Sequence, residues 1–422
     1  MSETRTIPVL VIGGGQAGLS VSWHLSQHDV EHLVVEREEI FGQWKHARWD
    51  TFCLVTPNWQ CVLPGYAYDG ADPDGFMVKQ ELLDWLARYP RTFDPPVSER
   101  TDVTSLRPRE DGDGFDVQTS IGPVYAEQVV VATGGYGTPA IPRMAERIPP
   151  RIAQLHSSRY KNPDVLADGA VLVVGSGQSG AQIAEDLHLA GRTVHLAVGE
   201  APRVARRYRG RDVVAWLQDM GHYDKPVSEQ PPEERHRDRT NHYVTGRDGG
   251  RDIDLRAFAE QGMSLHGRLL DVTGEHLSFA DGLAADLDAA DAVYNGINAA
   301  IDNYILGQGI QAPPGERYTA SWHPDPGPST VSLADISTVI WATGFSTDYR
   351  WLHAPVFDGS GHPQHRRGIT GVPGLYFLGL PWLHTWGSGR FAAVARDAEH
   401  LAGAIIDRHS RTQRPDLAGS LA

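Results

Sequence analysis

Val9-Leu10-Val11-Ile12-Gly13-Gly14-Gly15-Gln16-Ala17-Gly18 is the stretch on which the reading of the fold turns. Its apolar residues enter a glycine turn, and the amphipathic run Leu19–Leu25 leaves it. Val34-Val35-Glu36 follows about eighteen residues after Gly18, the spacing of a βαβ dinucleotide fingerprint. Gly13 allows the tight turn, Gly15 lets the backbone approach a pyrophosphate, and Gly18 lets helix and strand pack closely. Gln16 and Ala17 begin the helix, whose N-terminus offers unpaired N–H groups and positive partial charge to a phosphate. Glu36, at the end of the second strand, would accept hydrogen bonds from a ribose hydroxyl pair. A purely structural glycine turn is the alternative.

The pattern returns in mid-chain. Val171-Leu172-Val173-Val174-Gly175-Ser176-Gly177-Gln178-Ser179-Gly180 again runs from strand through GxGxxG into a helix, Ala181–Leu189, with the next strand expected at Thr193–Val198. Two such turns imply two nucleotide cofactors used together. They differ where specificity is set. Aligning Gly18 with Gly180 puts Val198 in the place of Glu36, and Arg203, Arg206 and Arg207 follow. Without a carboxylate nothing repels a 2′-phosphate, and guanidinium groups are bidentate partners for it, so the second site reads as one for NADP. Glu200, about twenty residues past Gly180, keeps NAD as the alternative. A solvated surface position is the alternative for any one of the arginines.

The segment after Glu36 is dense in aromatics, with Trp44, Trp49, Phe52, Trp59, Tyr66, Tyr68 and Phe76 broken by Thr56-Pro57-Asn58 and Leu63-Pro64-Gly65. Flat side chains on irregular backbone suit either the lining of a planar cofactor or a hydrophobic cluster under a loop. Lys79–Tyr89 has helical period, Asp111-Gly112-Asp113-Gly114 marks a hairpin, and Gln128–Ala132 is an apolar strand ending in Thr133-Gly134-Gly135. Pro139, Pro142, Pro149 and Pro150 then read as a linker. Tyr208–Pro328 is least informative: Glu233–Arg239 reads as a solvated face, Leu283–Leu306 as a helix, and His222, His236, His242 and His266 lack metal-ligand spacing. Val339–Phe345 then echoes Val130–Gly134. Gly374–Gly379 leads through Pro381–Gly389 into a helix, Phe391–Arg408, which brings the chain back to the first nucleotide. The expected fold is α/β with two Rossmann-like dinucleotide-binding domains. Residues 1–162 and 331–422 form one, and residues 163–330, with a helical excursion, are inserted into it.

A chain of 422 residues exceeds one ordinary core. Its net charge of −15 argues against a nucleic-acid footprint. No run of eighteen apolar residues and no signal-peptide pattern occurs, so a cytoplasmic protein without a membrane partner is the expectation. Cys53 and Cys61, the only two cysteines, lack CxxC spacing and signal neither zinc nor a redox pair.

Together these ordered features resemble the single-component, NADPH-dependent flavin-containing monooxygenases, the class B flavoprotein monooxygenases. The motifs are GGGQAG at 13–18, GQW at 42–44, ATG at 132–134, GSGQSG at 175–180, ATGF at 342–345 and GLYFLG at 374–379. The resemblance implies FAD on the first fold and NADPH on the inserted one. On the same pattern Arg37, Gln43, Trp44, Val103, Thr133, Gly134, Ala342, Thr343, Gly344 and Gly379 are further cofactor contacts, and no metal is implied. His156–Tyr160 resembles the end of the family's FxGxxxHxxxY signature, although Pro150 and Ile152 stand where its Phe and Gly would be, and Phe41-Gly42-Gln43-Trp44 departs from GGxW. Tyrosine at that end goes with nitrogen and sulfur oxygenases, tryptophan with Baeyer–Villiger enzymes. Asn58 would match, but for the intervening Pro57, an asparagine that handles the oxygenated flavin, and Trp382, His384 and Trp386 would be cavity walls, with core packing an equally good account of any one of them.

The implied reaction is reduction of FAD by NADPH, capture of O2 as a C4a-hydroperoxyflavin, and transfer of the distal oxygen to the nitrogen of a small amine or amino acid. Oxygenation of sulfur, of an indole carbon or of a ketone is the alternative within the class. The implied partners are a small-molecule substrate and O2, and self-association into a homo-oligomer is compatible with the pattern. Outside the class stand a pyridine-nucleotide disulfide oxidoreductase, which needs a cysteine pair beside the flavin, and a non-catalytic nucleotide sensor.

Overall fold

The computed structural model describes residues 5–110, 114–230 and 242–412. The tip of the expected hairpin at Asp111–Asp113, the charge run Glu233–Arg239 and His236 lie outside these residues. In chain order the first fold comprises β1 (Arg5–Ile12), α1 (Gln16–Gln27), β2 (His32–Val35), α2 (Lys79–Arg88), β3 (Val97–Ser98), β4 (Val103–Pro108), β5 (Phe115–Thr119) and β6 (Gly122–Val131). The chain then crosses to β7 (Ala153–His156), β8 (Ala170–Val174), α3 (Gln178–Leu189), β9 (Val194–Ala197), β10 (Ser264–His266), the long helix α4 (Leu283–Gln308) and β11 (Ile336–Trp341). It returns as β12 (His365–Arg366), β13 (Ile369–Thr370), β14 (Leu375–Phe377) and α5 (Phe391–Thr412).

The first sheet has nine strands. Its spine runs β12-β13-β14-β6-β1-β2-β3, and β5 and β4 continue antiparallel from β6. Continuous apolar runs in β1 and β6 are what strands covered on both faces require. Val9, Val11 and Val130 face Leu19 and Leu25 of α1 and Leu401 of α5, whereas Ile7, Leu10 and Val129 face Leu106 and Phe115 of the antiparallel flap. The second sheet is all parallel, ordered β7-β11-β8-β9-β10.

This pairing moves the expected domain boundaries. β7 and β11 lie on the two sides of the proposed breaks at 162 and 330, yet both pair within the second sheet. The crossings therefore come earlier and later, near the segments Thr138–Pro139 and Phe345–Ser346. These two connections pair antiparallel, so the outgoing and returning chains run side by side between the folds. The likeness of Val339–Phe345 to Val130–Gly134 is one of position, each being the strand beside its own fold's glycine turn.

Candidate functional site

The two glycine turns are built alike. A Cβ on Gly13, whose φ is +113°, would lie 2.5 Å from the Ala132 carbonyl oxygen, and one on Gly18 would lie 1.9 Å from the Gly13 carbonyl oxygen. In the second turn a Cβ on Gly175 would lie 2.7 Å from the Ala342 oxygen, and one on Gly180 would lie 1.8 Å from the Gly175 oxygen. Backbone sits where any side chain would go, so glycine is required at all four. A Cβ on Gly15, by contrast, meets nothing within 4 Å. Its position is left for a ligand to approach. Neither α1 nor α3 has a side-chain N-cap or an acidic residue in its first turn, so each presents unmet N–H groups and the positive end of the helix dipole. Both turns thus fit a dinucleotide pyrophosphate.

Around the first turn, Glu36 Oε2 accepts the Gly14 N–H at 2.7 Å, and Oε1 accepts the Glu38 N–H at 3.0 Å. The carboxylate is held at the strand end, where a ribose would reach it. Gln16 links two other expected contacts: its Oε1 accepts from Trp44 Nε1 at 2.9 Å, and its Nε2 donates to the Gly389 carbonyl at 3.1 Å. A Cβ on Gly379 would meet Ala17 at 2.6 Å, so the GLYFLG strand does return to α1. Val103 is buried at the start of β4, and Thr133 and Gly134 follow β6 beside Gly13. Around the second turn, Ser176 Oγ accepts the Gly199 N–H at 3.0 Å and Gln178 Nε2 donates to the Val244 carbonyl at 2.7 Å. Gly177 caps α3, Ser179 lies in its first turn, and Ala342 flanks Gly175 and Gly180. Thr343 and Gly344 belong to the crossing: Thr343 Oγ1 donates to the Ala140 carbonyl at 2.5 Å, and His156 Nε2 lies 2.9 Å from the Gly344 carbonyl.

Two of the three expected phosphate-reading arginines turn inward. Arg203, with a 3% exposed side chain, pairs with Asp291 at 3.0 Å and lies between the rings of Tyr294 and Tyr318. Arg206, with a 2% exposed side chain, pairs with Asp212 at 2.6 Å and donates to the Val55 carbonyl at 2.8 Å. Both guanidinium groups are buried in ion pairs within the protein, which corrects their assignment as 2′-phosphate ligands. Arg207 alone is exposed, with Nη2 donating to the Gly249 carbonyl at 3.1 Å. Val198 is buried at the end of β9, and Glu200 stands exposed just beyond it.

Asn58 is corrected as well. It is buried, its Nδ2 donates to the Asp72 carbonyl and its Oδ1 accepts the Met77 N–H, both at 2.9 Å. Its amide secures the 72–77 loop from a buried position. Much of the aromatic stretch is core instead of lining: Tyr66 stacks on Trp85 and packs on Tyr89, while Trp49 meets Phe52 and Tyr160. The cysteines are free and buried, Cys53 donating to the Phe76 carbonyl and Cys61 to the Pro57 carbonyl. Burial pushes both thiols up to about 12, far from a reactive thiolate. Among the described residues no cluster of His, Cys, Asp or Glu could hold a metal, and no helix is long and apolar enough to cross a membrane.

Where the crossing chain passes the first fold lies a cleft of about 790 Å³, bordered by Arg37, Glu39, Gln43, Ala47, Tyr136 and Lys161 among others. Near it the structure gathers groups that sequence patterning missed. Arg48 lies over Trp44 and Phe52, and Arg390 lies 3.5 Å over Trp386. Tyr136 interacts electrostatically with both guanidinium groups, each drawn below its ordinary pKa by burial. Trp386 packs on Tyr223 and His222, and burial pushes nearby His242 down to about 4. The only signal in the sequence was basic residues interleaved with tryptophans. Asp186 of α3 was missed too: it accepts from Thr51 Oγ1 and Tyr160 Oη, each at 2.6 Å, and from Arg247 at 2.9 Å.

A family model described as pyridine nucleotide-disulphide oxidoreductase matches residues 10–220. A CzcO-like oxidoreductase of Geobacillus kaustophilus is 33% identical over 404 residues, covering 95% of this chain and 99% of that one. The chain belongs to the pyridine nucleotide-disulphide oxidoreductase family. Its fold is similar to that of a flavin-containing monooxygenase from Stenotrophomonas maltophilia, with a TM-score of 0.65 at 20% identity over 96% of this chain and 99% of that one. It is also similar to an ornithine N-hydroxylase of Kutzneria sp. 744, with a TM-score of 0.64 at 16% identity, covering 96% and 99%. The resemblance to flavin monooxygenases and the two-Rossmann α/β architecture expected from the motifs therefore hold, and the chain is an oxidoreductase.

Proposed function

We propose that this chain is a monooxygenase that holds FAD on its first glycine turn and NADPH on its second. The observation that carries this reading is the pair of uncapped, glycine-obligate cradles in a chain whose two thiols are both buried and inert. The family's name points to disulfide chemistry, and this chain has no exposed cysteine pair to perform it. Bound FAD supplies the redox chemistry and the activation of O2. Overall, NADPH, O2, a proton and the substrate become NADP+, water and the oxygenated substrate.

The protein's own part is positioning. The N-termini of α1 and α3 hold the two pyrophosphates, Glu36 holds a ribose, and the aromatic walls by Trp44 and Trp386 keep water from the reacting centre. Val198 and the exposed Arg207 leave the second ribose site open to a 2′-phosphate. Nitrogen of a small amine or amino acid is the first candidate for oxygenation, from the His156–Tyr160 spacing. Tyr160 reaches Asp186 and not the cleft, so that preference comes through family pattern alone. The two free thiols accord with a cytoplasmic setting.

The test is to purify the protein, record its flavin spectrum, and follow NADPH consumption with labelled O2 over a panel of amines, sulfides, indoles and ketones. One labelled oxygen in a product, coupled to NADPH use, is the expected result, and its mass names the atom class. A colourless protein that takes up no FAD would defeat the proposal.

A further inference from the structure

Arg48 differs from the three fully buried arginines Arg203, Arg206 and Arg256. Arg203, Arg206 and Arg256 each have aspartate partners, the nearest at 3.0, 2.6 and 2.5 Å. The half-buried Arg48 guanidinium lies 4.9 Å from the Trp44 ring centroid and 5.5 Å from that of Phe52, and Nη1 donates to the Ala47 carbonyl at 2.9 Å. Among the described residues no carboxylate pairs with it. A guanidinium presents five N–H donors, so one carbonyl leaves most of the fork unmet. Those remaining donors are open to an anion that displaces water from them.

Two ammonium groups lie close by, one of them, that of Lys79, shared with Asp50 at 3.2 Å. Lys79 and Lys161 both direct their ammonium groups at the Arg48 carbonyl, at 3.2 and 3.3 Å. Ala47, the chain neighbour whose carbonyl Arg48 holds, and Lys161 border the 790 Å³ cleft. Tyr136, on that border, faces both Arg48 and Arg390. The cofactor phosphates already have their places at the uncapped ends of α1 and α3. What remains for Arg48 is an anion that is neither pyrophosphate.

We infer that Arg48, held between Trp44 and Phe52, anchors the carboxylate of the substrate, so that the enzyme takes carboxylate-bearing compounds such as amino acids or aryl acids in preference to simple amines. The inference rests on the monooxygenase reading above. Stacking on two rings fixes the plane of the fork and shields it from water, which favours a bidentate carboxylate over solvent.

The experiment titrates the FAD-loaded protein with benzoate and with benzamide while following the flavin absorbance spectrum. In the wild type benzoate should perturb the spectrum at concentrations roughly tenfold lower than benzamide. Arg48→Gln should respond equally to both, and Arg48→Lys should keep part of the preference. An Arg48→Gln protein that retains FAD and the full benzoate preference overturns the inference, and a shifted flavin midpoint potential in that variant would assign Arg48 to the flavin ring instead. If Arg48→Gln purifies without FAD, Arg48→Lys decides: a weakened preference supports the anchor and an equal response overturns it. A wild type that holds FAD but shows no preference defeats the anchor and leaves the monooxygenase reading standing. A wild type that takes up no FAD defeats both.

Discussion

Arg203 and Arg206 illustrate what a residue's position along the chain conveys. Their spacing after β9 is that of phosphate readers, and chain spacing says nothing of which way a side chain turns. What turned Arg203 inward lies far away in sequence, in Asp254 and Asp291, and for Arg206 the distant Val55 carbonyl adds to the nearby Asp212. Arg203→Ala should therefore act on stability. Asp291 keeps Arg256 at 2.9 Å, so losing the Arg203 hydrogen bond should cost about 1.5–3 kcal/mol, read by urea unfolding, while the ratio of KM for NADPH to KM for NADH stays unchanged. A large rise in KM for NADPH alone would return Arg203 to the phosphate. Asn58→Ala should likewise cost about 1–3 kcal/mol through the unmet Met77 N–H and Asp72 carbonyl, with turnover per folded molecule preserved. The double variant Cys53→Ser, Cys61→Ser should retain NADPH-dependent turnover; its loss with FAD still bound would revive disulfide chemistry.

At the scale of elements, the two strand–turn–helix units were legible because Gly18 and Gly180 each answer to the carbonyl of the glycine five residues earlier. Gly18→Ala places a methyl against the Gly13 carbonyl and should abolish FAD retention. Gly180→Ala makes the same clash with Gly175 and should leave FAD bound while abolishing reduction by NADPH, which anaerobic bleaching of the flavin would show. Membership of β7 and β11 in the second sheet was not legible, because strand partners are chosen by tertiary pairing and both strands abut segments that read as linker or as echo. Helix α3 also carries a pH-dependent element. Burial, partly offset by Arg251 at 3.2 Å and by Arg247, raises Glu185 from 4.5 to about 7. A carboxyl raised on folding contributes stability that is present below about 4.5 and lost as pH climbs through about 7. The loss is on the order of 3 kcal/mol. Glu185→Gln should remove it, so the Tm of the variant should gain on that of the wild type across this window. Parallel Tm–pH curves for the two proteins would refute the assignment.

For the whole molecule, the motifs announced two folds but not how one is held against the other, since the contacts involve single polar residues scattered over some two hundred positions. Asp186 is the centre of that contact. Its carboxylate, 3% exposed, receives Thr51 from the first fold, Tyr160 from the crossing chain and Arg247 from the inserted domain. Tyr160, the signature residue that looked like a marker of substrate chemistry, thus works as a tether that fixes α3, and with it the NADPH cradle, relative to the flavin side. Hydride transfer needs the nicotinamide and flavin rings aligned to within a fraction of an ångström, and a loosened tether misplaces one of them. In Asp186→Asn one oxygen acceptor becomes an N–H donor and confronts either Thr51 and Arg247 or Tyr160. Anaerobic stopped-flow reduction by NADPH should then slow roughly tenfold or more, corresponding to about 1.5–3 kcal/mol for a lost charged hydrogen bond. FAD content and the rate at which dithionite-reduced enzyme reoxidises in O2 should stay near wild type, because the first cradle is untouched. Equal slowing of both half-reactions would mean that Asp186 supports the fold as a whole and not the meeting of its two nucleotides.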